Sequence, residues 1–339
     1  MEPRRVIKVS HQSSRQIAVR WMFLVAVALC WKMDCFASGV GLNTHFYVSP
    51  SGSDRTDGSK ARPWKSLERA ARSVSAGATV HVLPGLYNSD GELKTTASGT
   101  VTNRIRYVSE EKWGAKLRST KTGNSAVWWN QGNYVDIVGF DISGSGALGI
   151  YNTGSFTRIE GNHVHDIPAS GCPANGGAGI HDGNYAASDD EVIGNTVHDI
   201  GDVRVLCMRV HGIYHANLRG NIERNVVYHN QGWGIHLWHA ATDVKIVGNE
   251  VFDNSYGGIV VGADHADFAG GFGRNNHTIV RDNKVYRNGL LAGARGYGIE
   301  EYGAVGENNR FENNTVFGNR PADWNLRNKS LQRQLTNAR

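Results

Sequence analysis

A right-handed single-stranded parallel β-helix with a short N-terminal helical cap, an all-β solenoid, is the fold this sequence predicts. Three observations carry that expectation. A unit of the form apolar, two spacers, Asn, spacer, Val, aromatic or His returns six times between residues 159 and 319. A Gly-Ile pair follows each of the first five units at a variable distance. Gly, at 42 copies, and Asn, crowded from Asn133 onward, supply turns and left-handed backbone positions that an all-helical protein would not tolerate.

Residues 1–37 read as a leader. A basic stretch ending at Arg20-Trp21 precedes the apolar run Met22–Trp31, and small residues follow at Ala37-Ser38. About 10 apolar residues are too few to span a bilayer, so the segment is expected to be a secretory signal cleaved near Ala37. A short membrane anchor is the alternative. The leader also holds most of the formal net charge of +5. The remainder is near neutral, and nothing in it argues for nucleic acid as a partner. The expected location is secreted or periplasmic, with no stable membrane insertion after cleavage.

Residues 38–90 are expected to form the cap and first coil. His45–Ser49 is strand-like, Pro63–Arg72 helix-like with Pro near its start, and Thr79–Tyr87 opens the winding. An amphipathic helix there would hide the open hydrophobic end of a solenoid. Residues 91–320 are expected to be the β-helix proper and 321–339 a C-terminal tail.

The repeats sharpen the reading. The recurrent Asn is Asn162, Asn195, Asn225, Asn249, Asn283 and Asn314, and the pairs are Gly149-Ile150, Gly179-Ile180, Gly212-Ile213, Gly234-Ile235, Gly258-Ile259 and Gly298-Ile299. From Asn162 onward the Asn-to-Gly interval runs 17, 17, 9, 9 and 15 residues. Strand cores thus keep their length while one loop varies, as in a solenoid. Six Asn at one register are expected to stack as an amide ladder, and parallel crossovers are right-handed.

The front stretch FYVSPSGSD…PWKSLERAARSVSAGATVHVLPGLY, followed by HGIYHA and WGIHLWHA, resembles the secreted right-handed β-helix proteins that include polysaccharide lyases of the chondroitinase-B and alginate-lyase type. The resemblance covers nearly all of residues 45–320. It implies a carbohydrate-active solenoid, an architecture that lyases, epimerases and hydrolases share. The aspartate pairs of pectate lyases and the Lys-Arg pair of chondroitinase-B-like lyases have no counterpart at clear positions. No catalytic residue is therefore carried over.

The site must come from this chain's own pattern. If each Ile of a Gly-Ile pair points inward, the next residue points out, which lines up Tyr151, His181, Tyr214, His236, Val260 and Glu300. Two positions on lie Trp238 and Tyr302. β-Elimination of a uronate needs a base for the C5 proton, a positive group on the carboxylate and an acid for the leaving oxygen. Tyr214 is expected as acid (and base, if its pKa falls), His236 or His181 as base or carboxylate ligand, and Arg209 as the carboxylate partner. Trp233, Trp238 and Tyr302 would stack on sugar rings. His239 lies nearby, and Glu300 is expected at a neighbouring sugar subsite. His211 and His239 are also expected to bind substrate. His211 and His215 share the inward parity of Ile213 unless a bend precedes the strand, and hydrogen-bonded support of the site is the alternative for both.

Other readings stay open. Glu300, Glu301 and Asp182 would serve a hydrolase, which needs two carboxylates roughly 5–10 Å apart. A uronate C5-epimerase and a non-catalytic glycan-binding solenoid are further alternatives. No cofactor is required, although Asp189-Asp190-Glu191 would suit calcium. Cys172 and Cys207 fall in the same loop of adjacent coils, within disulfide reach, with free buried thiols as the alternative. The Gly-rich loop 263–273 is expected to form a mobile wall of the groove.

Overall fold

A computed structural model describes residues 44–239, 241–264 and 274–337. The leader 1–37 and all but Ala263 and Asp264 of the loop 263–273 lie outside them. Three sheets of ten, nine and nine parallel strands run along the described chain as a right-handed parallel β-helix, mostly β with little helix. The first sheet opens with His45–Val48 and ends with Arg310–Glu312. The second runs from Leu93–Thr95 to Trp324–Asn325, and the third from Gly85–Ser89 to Thr315–Phe317.

Each sheet exists because one apolar residue per coil lands on the same rung. Ile137, Ile159, Val192, Ile222, Ile246, Val280 and Phe311 pair in register along the first sheet. Trp128, Ile150, Ile180, Ile213, Ile235, Ile259, Ile299 and Trp324 do so along the second. Both columns are buried, and a buried Val column completes the interior from the third sheet. Burying each such side chain contributes about 1.5–3 kcal/mol.

Space explains the Gly of every Gly-Ile pair. A Cβ at Gly179, Gly212 or Gly234 would lie 2.4 Å from Cγ1 of Val197, Val227 or Val251 respectively. The second sheet packs so closely on the third that only hydrogen fits.

The Asn column forms the expected ladder. Asn162 Nδ2 donates to Asn195 Oδ1 at 3.1 Å, and the pattern repeats through Asn225, Asn249 and Asn283 to Asn314 at 2.9–3.0 Å. Each amide also donates to a carbonyl of the preceding coil, as Asn225 does to Val192. A second ladder runs five residues later through Asn230, Asn254, Asn288 and Asn319 and ends on Asp323. The repeat units contain these Asn too, but the sequence analysis did not single them out. Residues ahead of the ladder Asn adopt left-handed backbone: Arg224, Asp282, His229 and Arg287 have φ of 53°, 57°, 54° and 51°. That conformation costs a non-Gly residue roughly 1–2 kcal/mol, which the amide bonds of the same turn offset.

The ends are covered. At the front, Leu67–Ala71 is helical, with Ser66 as N-cap accepting from the Arg69 amide and Leu67, Ala70 and Ala71 buried. The helix therefore starts at Leu67, later than the expected Pro63, because Trp64 is buried and bridged to Val48. At the back, the strand Trp324–Asn325 pairs with Ile299-Glu300, and Leu331 and Leu335 of the helix Lys329–Asn337 pack on the core. Cys172 and Cys207 are disulfide-bonded, with Cα atoms 5.6 Å apart.

Two predictions follow from the interior. Asn225→Ala strips partners from the buried Asn195 amide and the Val192 carbonyl; equilibrium urea unfolding should show a loss of about 2–4 kcal/mol. Asn314→Ala, at the half-buried end of the ladder, should lose visibly less. Gly234→Ala should lower stability by about 1–3 kcal/mol through overpacking alone, and a neutral melting temperature would contradict the contact described.

Candidate functional site

The outward file predicted from the repeat is present on the second sheet. Tyr151, His181, Tyr214, His236, Val260 and Glu300 are consecutive register partners. A groove of about 600 Å³ lies over its middle, lined among others by His181, Arg209, His211, Tyr214, His236, Trp238, His239 and Tyr302. That size suits one or two sugar rings.

Inside the groove the rings pack on one another. Tyr214 sits between its file neighbours, with centroids 4.7 Å from His181 and 5.4 Å from His236. His211 does not follow the inward parity expected from Ile213. It lines the groove, where His211 Nε2 meets His236 Nδ1 at 2.9 Å. His215 keeps the inward parity, buried with Nδ1 3.0 Å from Asp182 Oδ2. Trp238 and Tyr302 stack 5.8 Å apart, and Tyr302 is exposed. Arg209 is exposed on the groove lining, two residues after the disulfide-bonded Cys207. The disulfide thus anchors the bend that carries it, just ahead of the strand Val210–His215.

Burial sets the protonation states. Desolvation pulls His236 down to about 3 and His181 to about 4. His211 falls well below its usual value, by desolvation and then by the proximity of His236. All three are neutral at pH 7. Tyr214 moves the other way, raised by desolvation, so its phenol stays protonated; the lowered pKa that a Tyr base would need is not found. Only one hydrogen lies between His211 Nε2 and His236 Nδ1 when both rings are neutral. The pair therefore keeps one lone pair and one N–H on its remaining nitrogens, His211 Nδ1 and His236 Nε2, both buried and without a partner among the described residues.

The carboxylates considered for hydrolysis point elsewhere. Asp182 is fully buried in the core, accepting from Asn152 and facing His215. Glu300 is buried and accepts from Trp233 Nε1 at 2.9 Å, with its pKa raised to about 7 by desolvation. It does not line the groove. Trp233 is buried against Tyr256 and lines the groove floor, so it is no exposed stacking platform. Glu301 accepts from the Arg327 amide and from Asn309. The acid run does not converge on one point either: Asp189 pairs with Arg219, Glu191 with Arg158, and Asp190 turns inward to Thr157 and Asn217.

Tyr185, which packs 4.5 Å from the His239 ring, is a lining residue that the sequence analysis did not name. It follows a strand in a variable loop, where no repeat register exists to place it. Asp264, of the loop expected to wall the groove, lines it.

Comparisons with known proteins agree with this architecture. The chain is 26% identical over 240 residues to the uncharacterized protein YwoF of Bacillus subtilis (strain 168), covering 64% of this chain and 50% of that protein, so it spans about half the relative's length. Among solved structures it superposes on pectate lyase Pel9A with a TM-score of 0.55 at 17% identity, covering 78% of each chain. A rhamnogalacturonan lyase matches with a TM-score of 0.59 at 16% identity, over 76% of this chain and 73% of that one. At such identities the likeness shows the fold. A family model spans residues 46–337, and the chain accordingly belongs to the Pel9A-like right-handed beta helix family.

Proposed function

We propose that this protein is an exported polysaccharide lyase that cleaves a uronate-containing glycan by β-elimination in the second-sheet groove. The observation that carries the reading is the packing of a protonated Tyr214 against neutral imidazoles in a groove that also holds Arg209. The fold is shared with two proteins named as lyases, which supports a carbohydrate substrate.

The groove supplies each requirement of the reaction. Arg209 neutralises the uronate carboxylate and so acidifies the C5 hydrogen. His236 takes that proton on Nε2, its ring held by His211. The C–H electron pair forms the C4–C5 double bond, the C4–O bond breaks, and Tyr214 protonates the departing oxygen. His181 flanks Tyr214 on the other side and contacts the sugar or its carboxylate. Trp238 and Tyr302 offer stacked aromatic faces for the neighbouring ring. Hydrolysis is the weaker reading, because Asp182, Glu300 and Glu301 are all withdrawn from the groove.

Incubation with alginate, pectate and glycosaminoglycans should yield the ultraviolet-absorbing unsaturated uronate from at least one of them. Tyr214→Phe and His236→Ala should each cut that turnover by about 10²–10⁴-fold while leaving the melting temperature near the parent's. New reducing ends without absorbance would mean hydrolysis and overturn the proposal, as would full activity in both variants.

A pH profile checks the protonation states. A base must be unprotonated to act, so its pKa sets the acid limb; with His236 at about 3, kcat/KM should hold down to about pH 5. Tyr214, raised above its usual value, should impose no loss on the alkaline side up to about pH 9. An acid limb centred near 6.5 would show an ordinary, solvated histidine as the base.

A further inference from the structure

Away from the groove, on the outer face of the third sheet, two repeat units of sequence His163-Val-His165-Asp166 and Thr196-Val-His198-Asp199 stack on the strand Asp141–Gly144. His163 and His165 both face out and both meet one carboxylate. Asp141 Oδ2 lies 3.0 Å from His163 Nδ1, and Oδ1 lies 3.2 Å from His165 Nε2. The far nitrogens are also engaged: His165 Nδ1 with Asp166 at 2.8 Å, and His163 Nε2 with His198 Nε2 at 2.7 Å. His198 Nδ1 in turn meets Asp199 at 2.5 Å, and Asp199 also holds His229.

Counting hydrogens exposes an imbalance. A neutral imidazole carries one N–H, yet His165 faces a carboxylate on both nitrogens, and His163 and His198 face a carboxylate on one side and each other on the other. These contacts call for more hydrogens than three neutral rings hold. A cation on the nitrogens that face Asp141 would remove the mismatch.

We propose that Asp141, His163 and His165 bind a borderline first-row divalent cation of the zinc class. Their ligand atoms lie within 4.8 Å of one another, and the side chains are 10–20% exposed, open to an ion arriving from solvent. Two imidazoles and a carboxylate form a donor set that suits zinc with one position left for water. With His163 Nδ1 and His165 Nε2 on the ion, His163 Nε2–H is free to donate to His198, His165 Nδ1–H to Asp166, and His198 Nδ1–H to Asp199. That is the outer-shell pattern that orients metal-binding histidines. Trp113, stacked 4.6 Å from His163, shields one side. Arg118 Nη2, 2.5 Å from Asp141 Oδ1, shares the oxygen that faces His165 and restrains the affinity. Bound there, the ion would clip neighbouring coils together from outside.

The test is calorimetric titration of the chelator-stripped full chain with zinc chloride, alongside thermal melts. The parent should bind zinc saturably and melt higher as zinc is added. His163→Ala and His165→Gln, both at partly exposed positions, should fold as the parent does in chelator but lose this equivalent or bind it about 10–100-fold more weakly. His236→Ala, in the groove, should retain it. The proposal is overturned if the parent binds no zinc, or if both third-sheet variants titrate like the parent.

Discussion

From Asn162 onward the described coils depend on buried amides that find their partners one coil away. A parallel β-helix must turn its chain three times per coil without exposing or orphaning backbone groups. Here two Asn ladders meet that constraint at two of the corners, each side chain donating both to the next Asn and to a carbonyl of the coil behind. A third polar file, Thr95, Asn130, Asn152, Asp182 and His215, runs inside the second sheet. Because an unsatisfied buried polar group costs about 1–3 kcal/mol, these files lock the coils into one register. Slippage by a residue would break every rung at once.

That register makes the groove. Tyr214 is held between His181 and His236 because the inward Ile180, Ile213 and Ile235 are stacked beneath them. The coil spacing, rather than a dedicated loop, sets the distances between reacting groups. Packing aromatic and imidazole rings on successive rungs then removes water from them. The same crowding lowers the imidazole pKa values and raises that of the phenol, so geometry and protonation state share one cause.

The fold and the file were legible because both are periodic. Asn and Gly-Ile recur at fixed register, and alternation then says which neighbour points out. Legibility ended where periodicity did. His211 was placed near the site, but alternation from Ile213 would have turned it inward, whereas it lines the groove and meets His236. Asp182, considered for hydrolysis, points into the core by the same alternation that turns His181 outward, and there it partners Asn152 and His215. Glu300 occupies the right column, but Val260 and Trp233 cover that end of the sheet. Tyr185 and Asp264 lie in loops whose conformation no repeat encodes. The second Asn ladder was readable five residues behind the first; its regularity lay in the same units.

A crystal structure of Tyr214→Phe with a uronate oligosaccharide bound tests the central claim most directly, namely that stacked coils assemble one reactive centre from residues on successive rungs. The account predicts the sugar carboxylate against Arg209, the C5 hydrogen turned to His236 and the glycosidic oxygen beside position 214. An oligosaccharide seated elsewhere on the solenoid, with these three groups untouched, would contradict it.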